Sequence, residues 1–258
     1  MRTCHDALDP DETTEGRAGC WRRSRGAPSL LVGALVALRW SIPVRIIGWV
    51  LAFGSGVLIS AVAFDLVEEA AGMTSASGVV VGGLFAGCAA FSVGNALLSR
   101  RGGGSRKRAT RESDDDSALA IVLGTVLDGI PESAVIGVTL LAGGEIGLAY
   151  LVAVFVSNLP EALSSTAGLR RAGWRSGRVL ALWSGVVLVS AVASALGYGL
   201  LGDASPQVRG VVLTFAAGAI LTMLADTMVP EAYRHGGRAA GVLTTLGFSV
   251  AFALHQWA

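Results

Sequence analysis

Apolar residues in this chain come in long runs separated by short polar connections. A helix needs about 20 mostly apolar residues to cross a bilayer, and the runs at 46–64, 77–99, 117–142, 146–169, 179–202, 210–230 and 239–258 each have that length. Four of them carry no charge, whereas 117–142 contains only Asp128 and Glu132, 146–169 only Glu161, and 210–230 only Asp226. An eighth run, 26–38, is about half a span long. The pattern predicts an all-α polytopic membrane protein of eight transmembrane helices, the first cut short. Residues 1–25 are expected as a polar tail, and with no apolar core ahead of a cleavage site the segment does not read as a signal peptide. Residues 26–258 form the transmembrane domain, with a Gly- and Arg-rich loop at 100–116 expected as a cytoplasmic linker.

Composition agrees with that pattern. Of 258 residues, 52 % are hydrophobic and 15 % charged, and mean hydropathy is +0.61, too apolar for a soluble domain of this size. A net charge of +1 provides no field to attract nucleic acid. Cys4, Cys20 and Cys88 are odd in number and show no paired spacing, which supports neither a disulfide framework nor a zinc finger.

The basic residues are unevenly placed. Connections after the first, third, fifth and seventh spans hold fourteen of them, and the alternate connections hold only Arg209. Because cytoplasmic connections collect Lys and Arg, this puts the Arg-rich loops inside and both termini outside, in a plasma membrane. The five arginines of the tail run against the pattern, and with the short first helix they point to a misassigned start or a frameshift.

Shifting the chain by 162 positions aligns the second span with the seventh, pairing Leu51 with Leu213, Phe53 with Phe215, Gly56 with Gly218, Ala63 with Ala225, Glu69 with Glu231 and Ala70 with Ala232. The two spans run in opposite directions across the membrane, so they are expected as inverted relatives in a 3+2+3 bundle of the kind secondary transporters use.

The fourth and fifth spans lie between the repeats and carry the chemistry. Asp128, Glu132 and Glu161 fall near mid-membrane, where an ionised carboxylate costs about 2.5–3.5 kcal/mol on insertion scales. No Arg or Lys lies inside these spans to neutralise them, which leaves protons or a bound cation. Asp128 and Glu132 are four apart and share a helix face, as do Ser157 and Glu161. Both spans repeat one pattern, Asp128-Gly-Ile-Pro131-Glu132 and Ser157-Asn158-Leu-Pro160-Glu161. Each proline lacks an N–H and frees the carbonyl four residues back, Leu127 and Val156. Two kinked helices would thus aim carboxylates, an amide, a hydroxyl and carbonyls at one point, an oxygen-rich set suited to divalent cations.

With these motifs the chain resembles the ZIP (Zrt/Irt-like) metal transporters, in their bacterial GufA-like branch, from about Ser29 onward. The resemblance rests on Pro131-Glu132, Pro160-Glu161, the Phe53-Gly-Ser-Gly stretch running to Glu69, Asp226-Thr-Met-Val-Pro-Glu231, and Leu243-Thr-Thr-Leu-Gly-Phe248. It implies an eight-helix inverted-repeat bundle, a divalent cation as transported substrate with no prosthetic cofactor, no enzymatic activity, and a homodimer. It also implies one metal site of Asp128, Glu132, Asn158 and Glu161, with Ser157 at its margin. Asp128 and Ser157 stand where the family carries histidines or glutamine, and Gly129 where it carries asparagine. The sixth span supplies no carboxylate for a second metal. An oxygen-only set shifts preference from zinc towards Mn²⁺, Fe²⁺ or Mg²⁺.

Asp65, Glu68 and Glu69 close the second span at the outer face, and Asp226 and Glu231 lie near the inner end of the seventh. They are the candidate cation entrance and exit. His5, His235 and His255 fall outside mid-membrane. An alternative function, a metal sensor or membrane scaffold that no longer transports, is motivated by the missing histidines. A proton-coupled carrier of an organic solute would use the carboxylates as relays. Gly54-Ser55-Gly56 with His255 would suit an intramembrane protease only if the two residues met, and their depths differ by roughly 10 Å or more at 1.5 Å per helical residue.

Overall fold

The computed structural model describes residues 28–40, 42–74, 77–100, 129, 146–201 and 204–257. Among the described residues the chain is helical and contains no strand. The helices are α1 (Pro28–Arg39), α2 (Val44–Met73), α3 (Ser77–Arg100), α4 (Ile146–Arg171), α5 (Ser176–Leu201), α6 (Pro206–Gly236) and α7 (Ala239–Trp257). The predicted fourth span lies outside the described residues apart from Gly129, so α4 to α7 correspond to the fifth to eighth predicted spans.

Local chemistry sets the boundaries. Pro43, extended at φ −56° and ψ 133°, separates α1 from α2. Ser205 caps α6 by accepting from the Val208 N–H at 3.4 Å, with Pro206 in the first turn where its missing N–H costs nothing. The α4–α5 turn passes through Gly173 at φ +78°, a conformation that favours glycine, and the Trp174 N–H closes back on the Leu169 carbonyl.

Helices α2, α3, α5, α6 and α7 are long and apolar enough to cross a membrane. The apolar windows of α2 and α6 are 67 % and 56 % buried, against 22 % for α3 and 17 % each for α5 and α7. Two central helices are therefore flanked by others whose outer faces expose Phe85, Leu188, Val242 and Leu246, as an apolar solvent requires.

The central helices share an irregularity that hydropathy does not reveal. Val62–Glu68 of α2 and Leu224–Met228 of α6 are wound as π-helix. The two π segments start 162 residues apart, the shift that aligns the two sequences, and so do the first residues of α3 and α7. The winding also revises the expected end of the second span. Helix α2 continues to Met73, carried by the good helix formers Ala70 and Ala71, so Asp65, Glu68 and Glu69 lie along the helix rather than at its end.

Two packing clusters hold the described helices. The larger joins Leu51, Leu58 and Leu66 of α2 with Phe91 of α3, Val154 of α4 and Leu213, Ile220 and Met223 of α6. Its helix crossings are made by glycines. Gly56 sits on the Thr244 carbonyl and Gly247 on the Phe53 carbonyl where α2 crosses α7, while Gly218 sits on the Leu84 carbonyl and Gly87 on the Phe215 carbonyl where α6 crosses α3. A Cβ at any of the four would overlap backbone. The smaller cluster joins Leu30 and Ala34 of α1 with Ala162 and Leu169 of α4 and Val179, Trp183 and Val186 of α5. Trp183 is wholly buried, and its indole N–H donates to Thr166 Oγ1 at 2.9 Å.

Charge separates the two ends of the bundle. Gly48 packs on His235 and Gly236, and Trp49 Nε1 donates to the Gly236 carbonyl at 3.2 Å, which joins the α1–α2 and α6–α7 connections. Arg39 shares a cleft with Arg170 and Arg171, which adds the α4–α5 connection to the same end. At the other end Gly210 approaches Thr74, and Arg209 Nε donates to the Leu201 carbonyl at 3.1 Å.

Candidate metal-binding site

Helix α4 runs unbroken from Ile146 to Arg171 with Pro160 in its interior. Its motif is held on two sides by helices lacking side chains at the contact. On one side Gly54 of α2 lies against Ser157 Cα and Pro160, and on the other Gly33 of α1 lies against the Leu159 carbonyl and Ala162. The glycines of the Phe53-Gly-Ser-Gly stretch thus have separate partners, Gly54 receiving α4 and Gly56 receiving α7.

Ser157 and Asn158 are buried and Glu161 is partly buried. The Ser157 hydroxyl donates to the Val154 carbonyl at 3.1 Å, so its proton is engaged within its own helix while its oxygen lone pairs stay available. Asp128 and Glu132 lie outside the described residues. Gly129, between them in sequence, is described, and a Cβ there would lie 3.8 Å from Ser190 Oγ of α5. Among the described residues no three His, Cys, Asp or Glu side chains converge to hold a metal ion.

Along the chain from Glu161, one helical turn later, Ser164 Oγ donates to Glu231 Oε1 at 2.6 Å. Glu231 belongs to the last turns of α6 and has His235 Nε2 at 3.9 Å. It therefore ties α6 to the motif helix near the Arg-rich end. Asp226 is exposed within the π turn of α6 and does not share that contact.

At the opposite end the residues sort differently. Asp65 is buried in the π turn of α2 and accepts from His255 Nδ1 of α7 at 2.7 Å. The His255 ring rests against Phe64, with Phe248 and Phe252 completing an aromatic group. Glu69 Oε2 is buried and accepts no hydrogen bond among the described residues, while Glu68 is exposed. Sequence reasoning set His255 aside as a helix-end residue. The signal that would have found it is that the only histidine in any apolar run and the deepest outer carboxylate, Asp65, lie in helices both expected to end on the same face. Ser55, by contrast, donates to the Leu51 carbonyl of its own helix at 2.8 Å and is not joined to His255.

Neither a protein-family model nor a curated protein matches this chain.

Proposed function

We propose that the protein is a multi-pass permease for a divalent cation, built as an eight-helix inverted repeat like the ZIP transporters, and that it moves metal towards the cytoplasm by alternating access. The observation that carries this reading is the Ser157–Glu161 segment: two buried polar side chains and a carboxylate in the interior of a helix clasped between Gly33 and Gly54. Polar groups kept inside an apolar bundle are costly and mark a pathway more often than a packing need. The paired π segments, together with Gly56 and Gly218 at the two crossings, all in the 162-residue register, support the repeat.

In this reading Glu132 and Glu161 bind the ion, Asp128 takes an imidazole ligand's place, and Asn158 offers an amide oxygen. Asp65, Glu69 and His255 form the entrance at the end poor in arginine, and Glu231 with Asp226 forms the exit. The Arg-rich end faces the cytoplasm, by the positive-inside rule.

The test is initial uptake of Zn²⁺, Fe²⁺, Mn²⁺, Cd²⁺ and Mg²⁺ into proteoliposomes, comparing wild type with Glu161→Gln and Glu132→Gln/Glu161→Gln. Saturable uptake that falls to the protein-free background in both variants, with folded protein still in the membrane, is the expected result. Unchanged uptake in Glu161→Gln overturns the site. Metal binding without uptake by wild type makes the protein a sensor or scaffold instead.

A further inference from the structure

Between α1 and α4, at the Arg-rich end, lies a cleft of about 280 Å³. Its polar wall is Arg39, Arg170 and Arg171, joined by Trp40, and no carboxylate lines it among the described residues. None of the three arginines forms a salt bridge among the described residues. Arg170 spends one N–H on Ser176 Oγ at 2.9 Å, and Arg39 lies over the Trp40 ring with its Cζ 5.7 Å from the centroid. Each guanidinium has five N–H donors, so most of this capacity faces the cleft or solvent. Three like charges in one cleft repel one another until an anion enters, and planar guanidinium groups match the oxygens of a phosphate.

The remaining wall shows which phosphate fits. Leu38, Ile47 and Leu163 make the floor apolar, as a free inorganic anion does not require. On α1 the exposed residues Val32 and Leu35 precede Arg39 at i−7 and i−4, so an apolar stripe leads along the helix surface straight to the guanidinium. The volume approaches the lower limit of about 300 Å³ for small-ligand sites, enough for a headgroup whose chains lie outside on α1. Basic clefts between membrane helices beside an interfacial tryptophan suit an anionic headgroup at the cytoplasmic leaflet.

We infer that this cleft binds the phosphodiester headgroup of an anionic phospholipid, with its acyl chains along the Val32–Leu35 face of α1. Ile47 belongs to the larger packing cluster and Leu38 packs on the smaller, so the bound lipid bridges the two. The inference needs the protein to lie in a membrane and does not depend on what it transports.

The experiment is native mass spectrometry of detergent-purified protein exposed to phosphatidylglycerol or phosphatidylcholine. Wild type is expected to retain phosphatidylglycerol in preference to phosphatidylcholine, and Arg39→Gln/Arg170→Gln/Arg171→Gln to lose that retention by roughly tenfold or more. The exposed single change Arg39→Gln, which leaves both clusters intact, is expected to lose about threefold. Equal retention of both lipids by wild type, or undiminished phosphatidylglycerol on Arg39→Gln, overturns the inference. If inorganic phosphate alone raises the melting temperature as much as phosphatidylglycerol does, the site belongs to the free anion and the lipid assignment falls. Failure of metal uptake leaves each of these outcomes readable.

Discussion

The crossings of α2 with α7 and of α6 with α3 are made by backbone resting on backbone, whereas α5 is held to α1 and α4 by side chains that fill space around Trp183. Lipid tails are as apolar as leucine, so helices inside a membrane gain little from hiding apolar surface and must gain from close fit. The first arrangement uses glycine to reach the closest approach, and any added atom strikes a carbonyl. The second tolerates adjustment, because a side chain has rotamers and a carbonyl in a helix has none. The buried polar motif of α4 stands where the two arrangements meet: Gly54 belongs to a glycine-crossed helix, and Ala162 to the cluster around Trp183.

Substitutions that add or remove atoms at each contact sharpen the contrast. Gly56→Val and Gly218→Val are expected to have the largest effect, with no folded protein recovered by fluorescence-detected size exclusion, since neither carbonyl contact can yield. If one folds normally while the other does not, the two crossings are not equivalent. Gly72→Ala, at a position with nothing within 4 Å of the new Cβ, is the control and should fold as wild type. Trp183→Ala empties the smaller cluster and should cost about 3–5 kcal/mol in thermal or denaturant unfolding; a cost below about 1 kcal/mol would mean that this cluster does not hold its helices together. His255→Ala leaves Asp65 buried without its imidazole and should cost about 1–3 kcal/mol, with His255→Gln recovering part of the loss. Thr244→Val removes the hydroxyl that donates to the Ala52 carbonyl at 3.0 Å across the α2–α7 crossing. Such bonds average about 0.6 kcal/mol in membrane proteins. At the α6–α3 crossing the corresponding place is held by Leu84, whose carbonyl meets Gly218 as that of Thr244 meets Gly56 and whose side chain has no hydroxyl to offer, so a loss much above that figure would make the α2–α7 crossing the stronger of the two.

The helices were legible where apolar runs are bounded by charge or proline. The runs beginning at Ser77, Ile146 and Ala239 start where the helices start, because polar residues and Gly237 break the pattern just before them. The π segments were not legible. An i+5 register in place of i+4 leaves hydropathy unchanged, so the apolar pattern carries no mark of it. The Asp65–His255 pair was missed for a related reason: its members are 190 residues apart, and only the α2–α7 crossing brings them together. Of the proposed ligands, burial of Ser157 and Asn158 follows from their position amid an apolar run, while the enclosure of their helix by Gly33 and Gly54 depended on neighbours that the local pattern does not name.

A π turn is an α-helix with one residue too many, and such an insertion changes the facing of everything beyond it by about 100°. It begins at Val62 in α2 and at Leu224 in α6, the same place once the 162-residue offset is removed. On the reading of these helices as copies of one ancestor, the extra residue is older than the duplication. On that reading both copies have kept it since, although a single deletion in either would restore a regular helix.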